Sequence, residues 1–243
     1  MTQSSDGSIL LAYLDPYHLG DPLFLSSFVR DVKAHTGPLL LVHGGGEEAE
    51  RALEAQGLVP ERVDGALQVA DARQAALVER ATRDLNRRIV HELNEVGVAA
   101  IRLTGADRGV LRRQADGALT AREATWLRML MEQGAVPVLA TMIEDGSGLV
   151  EVNPAAVCVA LAHVMSTDER AVTVVAFSTG RRARLVMDGA EQEAVSVDQI
   201  SGIATVPAPD FIVRVVSKGV RCRVVTPAAL RGTGLPEGTV ILA

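Results

Sequence analysis

The stretch Leu39-Leu-Leu-Val-His-Gly-Gly-Gly46 decides the fold of this chain of 243 residues. The four apolar residues from Leu39 to Val42 are typical of a strand buried on both faces of a parallel sheet. Three glycines follow, and glycine lets backbone amides come close to a bound anion or carbonyl group. We therefore predict a loop that faces a ligand; the alternative is a tight strand-to-helix turn that binds nothing. His43 is interpreted as a structural histidine rather than a base.

Strands and helices alternate on both sides of this stretch, which predicts a mainly parallel sheet with helices on both faces. The predicted strands are 9–14, 39–42, 99–104, 136–140, 172–177, 183–187, 220–226 and 238–243. The predicted helices are 21–35, 47–56, 71–95, 120–133, 154–165 and 210–218. Two helix starts are predicted from capping chemistry: Asp21 before Pro22, and Thr120 with Glu123 as a capping box.

The composition excludes several classes of function. Lys and Arg total 24, but only Lys33 and Lys218 are lysines, so a mechanism with several catalytic lysines is disfavoured. The net charge of −6 argues against nucleic acid and anionic membranes as partners. No apolar run reaches ~20 residues, so we expect no membrane span. Cys158 and Cys222 are typical of small buried residues in a reducing cytoplasm, and no histidine has the spacing of a metal site.

Several further stretches stand in the order found in one known family. Residues 67–72 read LQVADA, residues 134–156 read GAVPVLATMIEDGSGLVEVNPAA, and residues 234–243 read GLPEGTVILA. Residues 84–112 combine a long helix, a strand and a Gly-Ala-Asp loop. Together with LLLVHGGG they resemble the amino-acid kinase family, most closely its acetylglutamate kinase branch. The resemblance implies an α/β fold, an open three-layer αβα sandwich with a mainly parallel central sheet, as in carbamate kinase-like proteins.

The resemblance also implies a chemistry and an assembly. Members transfer the γ-phosphoryl group of ATP to a carboxylate, in this branch the side-chain carboxylate of N-acetylglutamate in arginine biosynthesis. An active member would use ATP and Mg²⁺, would take a small N-acylated amino acid and would form a homodimer. Residues 1–167 would be an N-terminal lobe that binds the acyl amino acid and dimerises. Residues 168–243 would be a reduced C-terminal lobe of the nucleotide-binding kind.

Carried over position by position, the resemblance assigns two sets of binding residues. The positions for the acyl substrate are Gly44, Gly45, Gln68 and Asn153. The weaker positions for the nucleotide are Ser178, Thr179, Gly180 and Arg214. Gln68 stands where the branch has an arginine for the substrate α-carboxylate, so the acceptor could differ.

The catalytic positions of the family carry other residues here. The first-strand lysine falls near Ala12, the aspartate that organises the lysines falls on Ala155, and the second lysine falls on Arg214. Phosphoryl transfer needs cations on the developing charge, and loss of one such group costs on the order of 10²-fold in rate. We therefore assign no catalytic residue and no metal ligand, and we predict an acetylglutamate kinase-like protein that is inactive or weakly active.

Three functions stay open on the sequence. The first is a pseudo-kinase that binds a metabolite or regulates a partner. The second is a divergent active kinase for N-acetylglutamate or another N-acylated dicarboxylic amino acid, with Arg214 and Arg181 or Arg182 on the phosphates. The third is a structural partner subunit of an active paralogue.

Overall fold

Eight strands form the central sheet of the chain. The computed structural model describes residues 8–122, 124–146, 148–167 and 170–243. The strands, numbered along the chain, are β1 (Ile9–Leu14), β2 (Leu39–His43), β3 (Ala100–Thr104), β4 (Val136–Ala140), β5 (Val172–Phe177), β6 (Ala194–Ser196), β7 (Cys222–Val225) and β8 (Thr239–Leu242). Their order across the sheet is β6-β8-β7-β5-β1-β2-β4-β3, and all neighbours are parallel except β7 and β8. The predicted mainly parallel α/β sheet is confirmed.

Helices cover both faces of this sheet. They are α1 (Pro16–Gly20), α2 (Phe24–Lys33), α3 (Gly46–Glu54), α4 (Ala72–Glu95), α5 (Thr125–Glu132), α6 (Pro154–Met165), α7 (Val197–Ile200) and α8 (Pro209–Val216). Apolar side chains of α2 and α4 pack in the core on one face, and those of α5, α6 and α8 pack in the core on the other. Alternate residues of β1 point to opposite cores, with Ala12 facing α2 and Tyr13 facing α8. The fold is a three-layer αβα sandwich, as the resemblance implies.

The helix predicted at 21–35 is present as α2, but its predicted cap at Asp21 is wrong, because α2 begins only at Phe24 and a separate short helix precedes it. A short α1 begins at Pro16, capped by Asp15, whose Oδ1 accepts a hydrogen bond from the His18 amide at 3.1 Å. The chain then turns at Asp21, and α2 begins at Phe24. The Asp-Pro signal occurs twice within a few residues, and the first copy starts a helix of its own.

The capping box predicted at Thr120 is also wrong. Thr120 lies in a hairpin strand, Leu119–Ala121, which pairs antiparallel with Leu111–Arg113. The Thr120 hydroxyl accepts a hydrogen bond from Gln114 Nε2 at 2.7 Å, so it is used within the hairpin. Helix α5 begins only at Thr125, and Glu123 lies outside the described residues. Cross-strand pairing outweighs the local capping signal here.

The second half of the chain follows the prediction in its larger elements. Helix α6 and strand β4 have the predicted bounds, and the hairpin of Met142–Asp145 with Gly148–Glu151 is present. The strand predicted at 183–187 shrinks to Val186–Met187. Both cysteines are buried and unpaired, as expected, and burial raises the pKa of each thiol.

The predicted lobe boundary falls at Thr167 and Asp168, and residues 168 and 169 lie outside the described part of the chain. Strand β5, the first strand after it, pairs directly with β1 from Ile9 opposite Val172 onward. The sheet is therefore continuous across the boundary, and the separate roles of the two lobes stay predictions. Among the helices in the described ranges, none is long and apolar enough to cross a bilayer.

Candidate functional site

Three loops meet at one edge of the sheet, formed by the carboxyl ends of the neighbouring central strands β5, β1 and β2. Asp15 follows β1, Gly44 follows β2 and Ser178 follows β5. Strand β2 lies on one side of β1 and β5 on the other, so the edge is a topological switch point. Open α/β sheets bind ligands in the crevice at such points. The candidate site is therefore built on these three loops.

The glycine loop after β2 is approached closely by a group of the chain itself. The Gly45 amide donates to Glu151 Oε1 at 2.5 Å. A Cβ atom added at Gly44 would lie 2.7 Å from that oxygen, and one added at Gly45 would lie 2.6 Å from Ala49 Cβ. Glycine is needed here for the close approach of a group of the chain itself, and a ligand at this loop stays a prediction. The anion beside the loop is Glu151.

The Glu151 carboxylate is held by three donors. Its Oε1 accepts from the Gly45 amide, and its Oε2 accepts from the Leu67 amide at 2.9 Å and from Arg62 Nη1 at 3.2 Å. The Glu151 side chain is 1% exposed. A buried carboxylate is tolerated only when it is paired and hydrogen-bonded, and both conditions are met. The glycine loop is thus part of a filled anion site.

A short hairpin, Arg62–Val63 with Ala66–Leu67, lies over Glu151 and is called the covering hairpin below. Arg62 Nε also donates to Glu50 Oε1 at 2.7 Å. Burial lowers the pKa of the Arg62 guanidinium, but the negative charges of Glu151 and Glu50 outweigh this, so its pKa is raised overall. The covering hairpin is therefore fixed to the site by a charged group that stays ionised.

Asn153, a predicted substrate residue, caps α6 and holds the covering hairpin. Its Oδ1 accepts from the Ala155 amide at 2.7 Å and from the Ala156 amide at 3.4 Å. Its Nδ2 donates to the carbonyl oxygen of Asp64, in the turn of the covering hairpin. Both ends of the Asn153 amide group are therefore used within the chain.

The catalytic positions on α6 and α8 carry no free cation. Ala155 is 1% exposed in the core and has no ionisable group. Arg214 donates from Nη2 to Asp64 Oδ1 at 3.2 Å, and the two side chains are 49% and 78% exposed. The charge of Arg214 is therefore directed to the turn of the covering hairpin.

His43, the last residue of β2, is fully engaged as a neutral imidazole. Its Nδ1 lies 2.7 Å from the Gly44 carbonyl oxygen and donates to it, while its Nε2 accepts from Asn86 Nδ2 at 2.9 Å. His43 is completely buried, and burial lowers its pKa to about 4, although the Gly44 carbonyl partly opposes this. A histidine held this way orients the glycine loop, as expected of a structural histidine.

The loop after β1 contains a buried acid–histidine pair. His18 Nδ1 lies 2.7 Å from Asp15 Oδ2, and the His18 ring packs on Phe24 with 4.8 Å between ring centroids. Asp15 is 2% exposed, and Ala12 is buried in the core within β1. Where the resemblance places a lysine, the chain has an uncharged strand residue followed by this pair.

The loop after β5 is held by hydrogen bonds within itself and to the segment that contains Thr205. Ser178 Oγ accepts from the Gly180 amide at 2.9 Å, and the Thr179 amide donates to the Thr205 carbonyl oxygen at 3.0 Å. The sheet brings these predicted nucleotide residues next to β1. The Gly180 amide is used within the turn, and the Thr179 amide is used by the segment that contains Thr205.

Gln68 and the two lysines of the chain lie away from these three loops. Gln68 is exposed at the end of the covering hairpin, where its amide donates to the Glu61 carbonyl oxygen at 2.8 Å. Lys33 ends α2, on the way to the amino end of β2, and Lys218 lies in the turn between α8 and the amino end of β7. Lys33 therefore precedes a strand whose opposite end forms part of the site, and Lys218 precedes β7, the neighbour of β5.

Comparison with known proteins agrees with this architecture. The sequence model described as "Amino acid kinase family" matches residues 7–172. The chain belongs to the amino acid kinase family. An acetylglutamate kinase from Chloroflexus aggregans is 34% identical over 166 residues, which cover 63% of this chain and 65% of that protein. The chain spans between about half and two thirds of the length of the curated relatives it matches.

Two solved structures are similar over nearly the whole chain. The protein smu.665 from Streptococcus mutans UA159 has a TM-score of 0.66 at 19% identity, covering 97% of this chain and 98% of that one. N-acetylglutamate synthase from Neisseria gonorrhoeae, complexed with coenzyme A and N-acetyl-glutamate, has a TM-score of 0.64 at 21% identity. The match covers 98% of this chain and 60% of that one. At these identities the likeness supports the amino acid kinase fold alone.

Active members of an amino acid kinase family use ATP and Mg²⁺, and the residues at this edge do not fit a triphosphate. Phosphate groups bind to cations and to free backbone amides. The β1 loop instead buries the Asp15 carboxylate, and the Gly45 and Gly180 amides are bound to Glu151 and Ser178. Within the described ranges, no three His, Cys, Asp or Glu side chains are grouped to hold a metal ion. The backbone amides that could bind a phosphate here are used in hydrogen bonds within the chain.

The sequence reasoning missed the residues that fill the site. The sequence analysis assigns no role to Glu151, Arg62 or Asp64, although Glu151 stands where the branch it resembles has the first asparagine of an Asn-x-Asn segment. Arg62 and Glu151 are 89 positions apart, so no local pattern connects them. The available signal was an acid at a position where the resemblance implies a neutral amide.

Proposed function

We propose that this chain is an acetylglutamate kinase-like pseudo-kinase of the cytoplasm, which acts by binding or regulation and does not phosphorylate N-acetylglutamate. The observation that carries the proposal is the buried Glu151 carboxylate against the Gly45 amide. It occupies the glycine loop that the resemblance assigns to the acyl substrate.

Electrostatics support this proposal. Two like charges 4 Å apart repel by about 4 kcal/mol at an effective dielectric constant of 20. An acceptor carboxylate brought beside Glu151 would meet that repulsion, and Arg62 already pairs with Glu151. The γ-phosphate of a nucleotide at the β1 loop would face the buried Asp15 in place of a lysine. The acceptor carboxylate and the γ-phosphate are both anions, and the loop that each would approach already holds a carboxylate, Glu151 or Asp15.

The test is an assay of ADP release with Mg·ATP and N-acetylglutamate, run beside the acetylglutamate kinase of Chloroflexus aggregans. Because at least two catalytic charges are absent, we expect a rate at least ~10⁴-fold below that control. A rate within ~10²-fold would overturn the proposal and support the divergent kinase, with Arg214 and Arg181 or Arg182 on the phosphates.

The outer strand β3 favours a second candidate role, as a subunit of a larger assembly. In the described part of the chain β3 pairs only with β4, so no strand covers its other edge, although the amides of Ala100 and Thr104 are bound to Asn94 and Asp107. A groove of about 780 Å³ lies beside it, between β3 and α4. We propose a homodimer, or a complex with an active paralogue, through this lobe. Light scattering on the purified chain tests it: a dimer is expected, and a monomer that also captures no paralogue would contradict it.

A further inference from the structure

Three donors from two separate segments converge on one carboxylate beside β2. They are the amides of Gly45 and Leu67 and the guanidinium of Arg62, all bound to Glu151. Backbone amides together with one arginine are a usual way for proteins to bind a free carboxylate, because each hydrogen bond is strengthened by charge. The cluster therefore has the chemistry of a carboxylate-binding site whose occupant is a side chain of the same chain.

We propose that Glu151 is the specificity-determining residue of this pocket. Its carboxylate fills the donor cluster, so the natural chain rejects external carboxylates there. Shortening Glu151 would turn the cluster into a site for a small carboxylate. The inference rests on the proposed function only in taking the pocket as the acceptor side of the site, and its test does not involve ATP.

The backbone around Glu151 is fixed independently of its side chain. Glu151 pairs with Met142 in the hairpin, and the next amide, of Val152, donates to the Thr141 carbonyl oxygen at 2.8 Å. The Gly45 loop is further held by the hydrogen bonds of His43. The covering hairpin keeps its hydrogen bonds from Arg62 to Glu50 and from Asn153 to the Asp64 carbonyl oxygen, so all three donors should keep their positions when the Glu151 side chain is shortened.

A fourth polar group faces the same space. Thr141 Oγ1 is buried and has no hydrogen-bond partner among the described residues. A Cβ atom added at Gly44 would lie 3.7 Å from this oxygen and 2.7 Å from Glu151 Oε1, so both oxygens border one small volume beside Gly44. A buried hydroxyl without a partner is costly, and an external carboxylate that also reached it would remove that cost.

Acetate matches the part of Glu151 that an alanine substitution removes. Glu151→Ala deletes a methylene group and the carboxylate, and acetate has a methyl group and a carboxylate of the same size. The test is the melting temperature of Glu151→Ala in sodium acetate, against sodium chloride and acetamide at equal concentration. The exposed Glu144 lies on the partner strand of the same hairpin, so Glu144→Ala is the matched control.

We expect acetate to raise the melting temperature of Glu151→Ala by about 3 to 6 °C at ten times its dissociation constant. The natural chain and Glu144→Ala should not respond. Equal melting of Glu151→Ala in acetate and in both controls would overturn the proposal. Because no phosphoryl transfer is measured, this failure is distinct from a failure of the pseudo-kinase proposal.

Glu151→Gln decides the case if the alanine variant does not fold. It keeps the volume but replaces one acceptor by an NH₂ group that faces a donor. We expect its melting temperature to lie about 4 °C or more below that of Glu144→Gln, with no response to acetate. Equal melting of the two variants would overturn the proposal, because the charge of Glu151 would then not be what the cluster binds.

Discussion

The loops after β1 and β2 lie side by side, and each buries an acid in a different way. After β2 the glycines remain, and the Glu151 carboxylate from a distant hairpin sits on the Gly45 amide. After β1 the backbone itself differs: Pro16 starts a short helix, Asp15 caps it and His18 holds Asp15. The β2 loop is a filled site, whereas the β1 loop is a rebuilt one.

Because of this difference, a single substitution can empty the β2 loop but cannot turn the β1 loop into a phosphate site. The Glu151 side chain can be shortened while its donors stay in place. Removing Asp15 takes away a helix cap and the partner of His18, and it supplies no cation. We therefore expect the β2 loop to accept substitutions that empty it, and the β1 loop to lose stability.

The largest expected effect is on acid stability, through His43 in the β2 loop. Its pKa is about 4 in the folded chain, against the usual value near 6.5. A lowered folded pKa gives stability that is present above pH 6.5 and is lost as the pH falls toward 4. Between pH 7 and 4.5, the loss from this group is on the order of 2 kcal/mol. Urea unfolding at the two pH values measures it.

Two variants isolate the contribution of His43. His43→Gln should be less stable at pH 7 but should lose less stability on acidification than the natural chain. His91 is exposed on α4, so His91→Gln should keep the full acid dependence. If His43→Gln loses as much stability as the natural chain, the burial of a neutral His43 is not the cause.

In the β1 loop, Asp15→Ala should lower the free energy of unfolding by about 2 kcal/mol, because it removes a helix cap and a buried partner of His18. Asp21→Ala is the matched control, since Asp21 also accepts from a backbone amide, that of Leu23 at 2.9 Å, but is exposed. Urea unfolding should show a loss below about 1 kcal/mol for the control. Equal losses would contradict the account of a rebuilt loop.

In the β2 loop, Gly44→Ala and Glu151→Ala should be strongly coupled. The added methyl group would lie 2.7 Å from Glu151 Oε1, so Gly44→Ala alone should cost about 1 to 2 kcal/mol. With Glu151 shortened, the same change should cost under about 0.5 kcal/mol. At Gly202, an added methyl group would lie 3.5 Å from the Gln199 carbonyl oxygen, an ordinary contact, so Gly202→Ala should be additive with Glu151→Ala. A double-mutant cycle from urea unfolding gives these values, and additivity at Gly44 would contradict the contact.

The smallest effect is expected at Arg214. Its ion pair with Asp64 is exposed, and exposed pairs contribute about 0 to 1 kcal/mol. Arg214→Ala should therefore change stability by less than about 1 kcal/mol in urea unfolding. Arg214→Lys, which restores the residue type of the family, should leave ADP release undetectable. A gain in turnover with lysine would show that the β1 loop is still able to hold a phosphate.

The fold could be predicted because its signals are local. The apolar run of β4 and the Asn-Pro start of α6 specify their elements within a few residues, and both were predicted with the right bounds. The errors at Asp21 and Thr120 arose where two local signals compete or where a hairpin uses the capping side chain. Such choices depend on partners elsewhere in the chain.

The site was predictable only in part, for the same physical reason. The three glycines after β2 predicted a loop that faces a ligand, and a bound ligand there stays a prediction. Which group approaches depends on the contact between Gly45 and Glu151, 106 positions apart. Likewise, the pairing of Asp15 with His18 depends on the turn of α1, which brings the two side chains together.

Calorimetric titration of the natural chain with Mg·ATP, with N-acetylglutamate and with both together tests the central claim most directly. The claim is that both loops are closed to their anionic ligands, by Glu151 after β2 and by Asp15 after β1. The account predicts no saturable heat for any of the three at millimolar concentration, with the Chloroflexus aggregans acetylglutamate kinase binding under the same conditions. Saturable binding of both ligands, with ADP formed in the calorimeter cell, would contradict it.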